Sequence, residues 1–287
     1  MNGVVGRLFA SAVTVAGLQA AAAWPVWTWY AHRVTDGSDG PWPLAALGLF
    51  AAILVMARDG AGKPVSLVHA TIMTAIYAAT VLLLPPIFRC AAAFSAVGST
   101  LVRWRLGPGG HWPFVALLVL AAPMIASLDF TLGFPLRLAA SHCTAALVSL
   151  AGFSVSAEGT LLRWGSRMVA IDAPCSGARM LYTGLVVTAA LAAYERFSLR
   201  RTAAAFAGAI PVTVAANVFR AAGLFFIEAG VVADAGIATA TAWVHSGLGV
   251  LVFGLLTVSL LHMNRWIGTA HTFPFFPLPA ATQSRIR

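Results

Sequence analysis

The sequence predicts an all-α polytopic membrane protein. Of its 287 residues, 60% are hydrophobic and only 9% are charged, and the mean hydropathy is +0.85, values far outside the range of soluble globular domains. The apolar residues form long runs separated by short basic clusters, so the formal net charge of +9 indicates membrane topology rather than a basic stripe that binds nucleic acid. We therefore expect the lipid bilayer as a partner, and no nucleic acid.

The apolar runs define about eight transmembrane helices, because a span needs roughly 20 apolar residues. The predicted spans lie near 8–28, 42–57, 65–84, 90–102, 112–128, 177–194, 202–226 and 240–262. A cleaved signal peptide is the alternative for the first run, over about 8–23. The aromatic cluster Trp24, Trp27, Trp29 and Tyr30 that follows it is typical of an interfacial belt and favours a retained span.

The positions of the charges orient the chain, because cytoplasmic loops carry an excess of Lys and Arg. With the N-terminus inside, basic clusters such as Arg103/Arg105 and Arg196/Arg200/Arg201 are cytoplasmic, whereas most acidic residues lie outside. This alternation fails if 135–151 also crosses the membrane. We therefore expect 135–151 to be a small amphipathic helix in the outer interface, with a re-entrant or true span as the alternative.

The stretch 152–172 is the least apolar long segment of the chain. Its β-branched residues favour strands, and Gly159 and Gly165 favour turns, so we expect a small extracytoplasmic β-hairpin. The proline-rich tail over 265–287 is predicted to be irregular. The whole chain, 1–287, is expected to be a single integral membrane domain with its N-terminal spans in 1–128.

The hairpin leads directly into Asp172-Ala173-Pro174-Cys175-Ser176-Gly177-Ala178-Arg179, at the start of an apolar helix. The first-turn N–H groups and the helix dipole favour a thiolate at Cys175. The alternative is that Cys175 is a small buried residue in a tight helix start. The chain has three cysteines, Cys90, Cys143 and Cys175. They are too few and too scattered for a disulfide framework or a CxxC metal site, so we expect no metal and no cofactor.

The predicted topology brings Cys175 to the same side of the membrane as Asn217, Arg220 and His245. Asn217 and Arg220 are three residues apart and share a helix face. An arginine flanked by apolar residues within a span is costly and usually has a functional role or a partner. A thiol, an imidazole and a guanidinium at one depth are the groups that nucleophilic acyl transfer requires.

Each of these residues also has a structural interpretation. Arg220 can extend to the interface or pair with Glu228. Likewise His245 can be an interfacial histidine beside Trp243, and Asn217 can bridge two helices through a hydrogen bond. The combination of the three types of side chain favours the catalytic interpretation.

Three short motifs resemble the exosortase/archaeosortase family. They are Cys-Ser-Gly-x-Arg at 175–179, Asn-x-x-Arg at 217–220, and His245 followed by a glycine-rich helix with Phe253. Leu136-Arg137-Leu138-Ala139-Ala140 and Glu158-Gly159 are also similar to the family pattern. The resemblance covers about 130–262, so 129–264 is predicted to be the catalytic core. Pro174 and Ser246 depart from the pattern, and without an acid beside His245 the orientation of its imidazole is less defined.

The resemblance implies a membrane cysteine protease and transpeptidase without cofactors. Its substrates would be exported proteins with a C-terminal sorting signal of the PEP-CTERM kind: a short motif, one transmembrane helix and a basic tail. Catalysis is expected from Cys175, Arg220 and His245, with Asn217, Ser176, Gly177 and Arg179 supporting the substrate. The active site is expected on the periplasmic face of the cytoplasmic membrane. The rival hypothesis is a transporter or lipid-binding bundle in which Arg220 and His245 bind an anion. The sequence leaves the oligomeric state undetermined.

Overall fold

A computed structural model of the chain describes residues 12–57, 65–107, 111–171, 177–228 and 241–269. Within these ranges the backbone is mainly helical, with one small antiparallel sheet. The helices are α1 Ala12–Ala22, α2 Trp24–Thr35, α3 Trp42–Met56, α4 Leu67–Leu83, α5 Pro86–Leu106, α6 Trp112–Leu120, α7 Ile125–Leu150, α8 Ala178–Tyr194, α9 Leu199–Glu228 and α10 Thr241–Thr269. The strands are β1 Val155–Glu158, β2 Leu161–Trp164 and β3 Arg167–Ala170.

The helices confirm a helical membrane protein but not eight spans. Among the described residues, two segments are long and apolar enough to cross a bilayer, Leu199–Ile227 and Ser246–Thr269. The bent pair α6 and α7 provides a third if the two helices form one broken span. Helices α1, α3, α4 and α8 are apolar but have only 11 to 17 residues. The span predicted over 8–28 is interrupted at Ala23, because Pro25 has no N–H to continue the helical ladder.

A break at Pro123 corrects two predicted boundaries. The span predicted over 112–128 ends at Leu120, and the chain then turns by 87° into α7. Pro123 has no N–H and disfavours helical geometry at the residue before it, which accounts for the position of the turn. The segment 135–151 is therefore not a separate small helix but the second part of the 26-residue α7. Its placement in the outer interface stays a prediction.

Two side chains from distant parts of the chain hold this turn. The carboxylate of Asp39 is fully buried and accepts a hydrogen bond of 3.0 Å from the N–H of Ala126, in the first turn of α7. The same carboxylate forms an ion pair of 2.8 Å with Arg33. On the other side of the break, the hydroxyl of buried Tyr182 in α8 donates to the carbonyl of Leu120. Both bonds satisfy backbone groups that a helix end leaves without intrahelical partners.

The predicted hairpin is present, with a third strand added to it. Strands β1 and β2 pair from Val155↔Trp164 to Glu158↔Leu161, and β2 pairs with β3 from Leu161↔Ala170 to Trp164↔Arg167. Gly159 and Gly165 begin the two turns with φ of +62° and +60°, a conformation that glycine adopts without strain. The β-branched segments and both glycine turns agree with the sequence, but the prediction of one hairpin lacked the third strand.

The sheet lies between α7 and the C-terminal end of α9. Ser141 of α7 donates to the carbonyl of Gly159 at 2.6 Å, and Trp164 stacks edgewise on Phe225 of α9. After β3, the N–H of Ile171 donates to the carbonyl of Thr160 at 2.9 Å. The sheet thus fixes the chain at the last described residue before the segment that contains Cys175.

Candidate functional site

Helix α9 carries Asn217 and Arg220 on the side that faces other helices. Asn217 is 5% exposed, and its neighbours Val218 and Ala221 are also buried. Arg220 is half-buried, whereas Phe219 between them is 61% exposed. The two polar residues are three positions apart and point in similar directions from the helix axis, as the sequence predicted.

Asn217 lies against Gly177, the residue that precedes α8. Gly177 is buried and has a φ of +84°. A Cβ atom at this position would lie 2.7 Å from Nδ2 of Asn217 and 2.9 Å from its Cγ, distances that real Cβ contacts do not show. Both the backbone conformation and the contact therefore require glycine at position 177. Since Gly177 is two residues from Cys175 along the chain, this contact ties α9 to the chain next to the thiol.

Arg220 lies against α10. A Cβ at Gly249 would be 3.9 Å from Nε of Arg220, and one at Gly223 would be 2.8 Å from a methyl group of Leu248. The backbones of α9 and α10 therefore approach closely near Arg220. Gly249 is one helical turn after His245, and residues four apart share a helix face. Helix α9 thus contacts the glycine next to the Cys175 segment through Asn217 and the His245 helix through Arg220.

The structure describes only part of the other predicted site residues. Cys175 and Ser176 lie outside the described residues, as does Asp172, the predicted helix cap. His245 is a residue of α10, but its side chain lies outside the described part, as does that of Glu228. The convergence of Cys175, Arg220 and His245 stays a prediction. The other two cysteines are described as free thiols, Cys90 buried in α5 and Cys143 exposed on α7.

A small crevice and a larger cavity flank the start of α8. The crevice is lined by Leu136, Gly177, Leu181, Thr213 and Asn217, among others. The cavity measures about 470 Å³, and its lining includes two guanidinium groups, one carboxylate, two aromatic rings and a hydroxyl: Arg137, Arg179, Asp129, Phe130, Phe134 and Ser38. Arg179 was predicted as a supporting residue, but Arg137 had no assigned role. The sequence signal for this polar lining is the spacing of Asp129, Gly133 and Arg137, which are four residues apart and share one helix face.

The loop beside the cavity is held by Ser38 and Asp36. The hydroxyl of Ser38 donates to Oδ1 of Asp36 at 2.6 Å, and its N–H donates to the same oxygen at 2.8 Å. These hydrogen bonds, with that of the Ser38 side chain contributing most, lower the pKa of Asp36 because they favour the ionised carboxylate.

The described residues contain no group of three or more His, Cys, Asp or Glu side chains suited to a metal ion.

One family model matches the chain. It is described as transmembrane exosortase and covers residues 15–262, which is most of the sequence and includes the N-terminal helices as well as the motif-bearing half. No curated protein and no solved structure matches the chain.

Proposed function

Because the chain belongs to the transmembrane exosortase family, a family of membrane sorting enzymes, we propose that it is a cysteine protease and transpeptidase acting on exported proteins. It cleaves a PEP-CTERM-like sorting signal on the periplasmic face of the cytoplasmic membrane. The observation that carries the proposal is the position of α9. Its Asn217 contacts Gly177, two residues from Cys175, and its Arg220 lies against Gly249 of α10, which is one helical turn after His245 in the sequence.

The first step is attack by the Cys175 thiolate on the scissile carbonyl. A C–S bond forms, and the carbonyl electron pair moves to oxygen to give a tetrahedral oxyanion. Arg220 stabilises this charge, because a guanidinium keeps its proton and offers several N–H donors. Its half-buried position on α9, against α10, strengthens the interaction with a developing charge, since less water is present to screen it.

Collapse of the oxyanion breaks the C–N bond and leaves a thioester between Cys175 and the retained protein. His245 donates the proton that the leaving amine needs and then accepts one from the incoming nucleophile. An amine or a hydroxyl gives transfer, and water gives hydrolysis. Asn217 holds the chain at Gly177 in place, and Ser176 and Arg179 border the substrate. No cofactor enters these steps.

Processing of a sorted protein in cells tests this proposal. Cys175→Ala is expected to leave the full-length precursor in the membrane, where intact-protein mass spectrometry detects its uncleaved C-terminus. Cys90→Ala and Cys143→Ala are the matched controls, because they remove thiols that the proposal does not use. Normal processing by Cys175→Ala would exclude the mechanism, and loss of processing by Cys143→Ala alone would assign the nucleophile to another residue.

A further inference from the structure

A groove between α2, α4 and α5 lies apart from the proposed catalytic centre. It has a volume of about 170 Å³. Its lining comprises Pro25, Val26 and Trp29 of α2, Tyr77 and Val81 of α4, and Pro86 and Arg89 of α5. None of these residues lines the crevice at Asn217 or the cavity beside α8. Because Trp27 and Tyr30 of α2 pack on Phe94 of α5, tertiary contacts form the groove before any ligand binds.

The charge of the groove comes from Arg89. Its Nε donates to the carbonyl of Leu84 at 2.7 Å, which holds the guanidinium at the turn between α4 and α5. Among the described residues, the ion pairs within 4.0 Å involve Arg33 and Arg163 but not Arg89. Nη1 and Nη2 of Arg89 also have no hydrogen-bond partner in the described part of the chain. The terminal N–H groups therefore remain available to a ligand.

The hydroxyl of Tyr77 is a second polar group that the protein leaves unsatisfied. Tyr77 is only 8% exposed, and no hydrogen bond joins its hydroxyl to another described residue. The oxygen is not fully enclosed, and since Tyr77 lines the groove, its remaining access is there. A largely buried hydroxyl without a partner is costly, so a ligand acceptor in the groove would stabilise it.

The polar groups of the groove define the chemistry of its ligand. The side chains of Trp29, Tyr77 and Arg89 all carry an N–H or O–H donor, and the lining includes no carboxylate. Arg89 is also in the first turn of α5, where the positive end of the helix dipole favours an anion. A group with several acceptor oxygens and a negative charge fits this set, and a guanidinium matches a phosphate in both geometry and charge.

The rest of the lining is apolar and continues into exposed apolar surface. Val26, Val81 and the two prolines complete the groove, and Leu82 and Leu83, which follow Val81, are 83% and 78% exposed. The aromatic cluster of α2 to which Trp29 belongs is typical of a membrane interface. A free phosphate would leave the apolar surface uncovered, whereas a phospholipid provides an acyl chain beside its phosphate.

We propose that the groove is a binding site for an anionic phospholipid. The phosphodiester accepts hydrogen bonds from Arg89 and Tyr77, and an acyl chain lies along Val26 and Val81. Because three helices meet at the groove, the bound lipid stabilises the packing of α2 against α4 and α5. The inference goes beyond the proposed function, since it involves neither Cys175 nor the helices that carry Asn217, Arg220 and His245.

Native mass spectrometry of the full chain in detergent tests the inference. The protein is titrated with phosphatidylglycerol and, separately, with phosphatidylethanolamine that has the same acyl chains. We expect tighter binding of phosphatidylglycerol, because no lining carboxylate pairs with an ammonium group. Arg89→Gln should weaken the binding of phosphatidylglycerol on the order of tenfold, the scale of one charge-assisted hydrogen bond.

Two further variants separate a lipid site from general attraction of lipids to basic residues. Tyr77→Phe keeps the ring and its packing but removes the hydroxyl, and it should weaken the binding of phosphatidylglycerol by about threefold to tenfold. The matched control is Arg163→Gln, which removes an exposed guanidinium that is paired with Glu158 and should leave the affinity unchanged. Equal affinities of the wild type, Arg89→Gln and Tyr77→Phe would overturn the inference.

Thermal unfolding in detergent provides a second measurement. A lipid that binds only the folded protein raises Tm, so phosphatidylglycerol should raise Tm more in the wild type than in Arg89→Gln. Glycerol 3-phosphate at the same concentration carries the phosphate without an acyl chain and should leave Tm unchanged. An increase in Tm with glycerol 3-phosphate equal to that with the lipid would assign the groove to a soluble phosphate. Equal increases with phosphatidylglycerol in the wild type and Arg89→Gln would contradict the site.

Discussion

Helices α1–α6, which precede the break at Pro123, and helices α8–α10 are packed by different means. In the first region, side chains bridge the helices. The amide of Gln19 donates to the carbonyl of Ala70 and to the hydroxyl of Thr74, both at 3.2 Å, and accepts from Thr100 at 2.9 Å. Trp27 and Tyr30 stack on Phe94 with ring centroids 5.2 and 5.1 Å apart.

In α8–α10, glycines replace the bridging side chains. A Cβ at Gly184 would lie 2.5 Å from the hydroxyl oxygen of Thr213, and one at Gly208 would lie 2.7 Å from the sulfur of Met263. Before the break at Pro123, Gly17 and Gly48 have no such neighbour within 4 Å, and Gly98 against Leu118 is the exception; in α10, Gly247 and Gly254 also have open space around them. Small residues let helix backbones approach closely in membranes, so the contacts at Gly184 and Gly208 constrain the spacing of the three helices that carry the proposed site residues.

This difference predicts that substitutions at the contacts around the proposed site, at Gly177 and Arg220, impair catalysis, whereas substitutions in the first region change stability. Arg220→Ala should show the largest effect, a loss of processing rate on the order of 10²–10³-fold, because it removes a fixed donor to the oxyanion. Arg220→Lys should recover only part of the rate, since lysine lacks the planar fork. Single-turnover cleavage measures both. The control is Arg105→Ala, which removes hydrogen bonds to the carbonyls of Ala57 and Val55. A loss of processing rate in this variant as large as that in Arg220→Ala would contradict the comparison.

Gly177→Ala is expected to reduce the processing rate by about 10²-fold, because a displacement of about 1 Å at a reacting group has that effect. The methyl group would strain a φ of +84° and collide with Asn217. Gly152→Ala is the matched control. It has a φ of +93° and no neighbour within 4 Å, so it should lower thermal stability without changing the rate of the folded protein. Equal rates for both variants would contradict the proposed role of the Gly177–Asn217 contact.

Gly184→Ala should destabilise the protein by about 1–3 kcal/mol, the usual range for overpacking, because Thr213 must move away from the added methyl. Gly254→Ala, in α10 with open space around it, should be neutral or stabilising by up to about 1 kcal/mol through helix propensity. Unfolding in mixed micelles measures the two free energies. If the two variants had the same stability, close glycine packing would not constrain α8 against α9.

Gln19→Leu should show the smallest effect. Its loss of hydrogen bonds to α4 and α5 is expected to reduce the free energy of unfolding by about 0.6–2 kcal/mol, the scale of interhelical hydrogen bonds in membranes. The rate per folded molecule should stay at the wild-type value. A tenfold loss of rate at unchanged stability would show that the first region also controls the chemistry.

Local patterns predicted much of the fold. Glycine turns and β-branched runs located the strands, and the three-residue spacing placed Asn217 and Arg220 on one side of α9. Pro123 is a sequence signal for the turn between α6 and α7, but the apolar run on both sides of it favours a continuous span. The cavity was not predictable in this way, because it depends on Asp39 reaching Ala126, which is 87 residues away along the chain. Such long-range contacts have no periodic signature in one sequence.

Trapping of the acyl-enzyme tests whether Cys175 is the nucleophile. The full chain with Cys90→Ala and Cys143→Ala is mixed with a sorting-signal peptide, quenched in acid during the first turnover, and analysed by intact mass and fragment mass spectrometry. We expect the N-terminal product to be bound to Cys175 as a thioester that hydroxylamine releases. In His245→Gln, with a reactive thioester peptide as the acyl donor, this adduct should accumulate to a higher level. Cleavage that proceeds with no adduct on Cys175 would exclude Cys175 as the nucleophile.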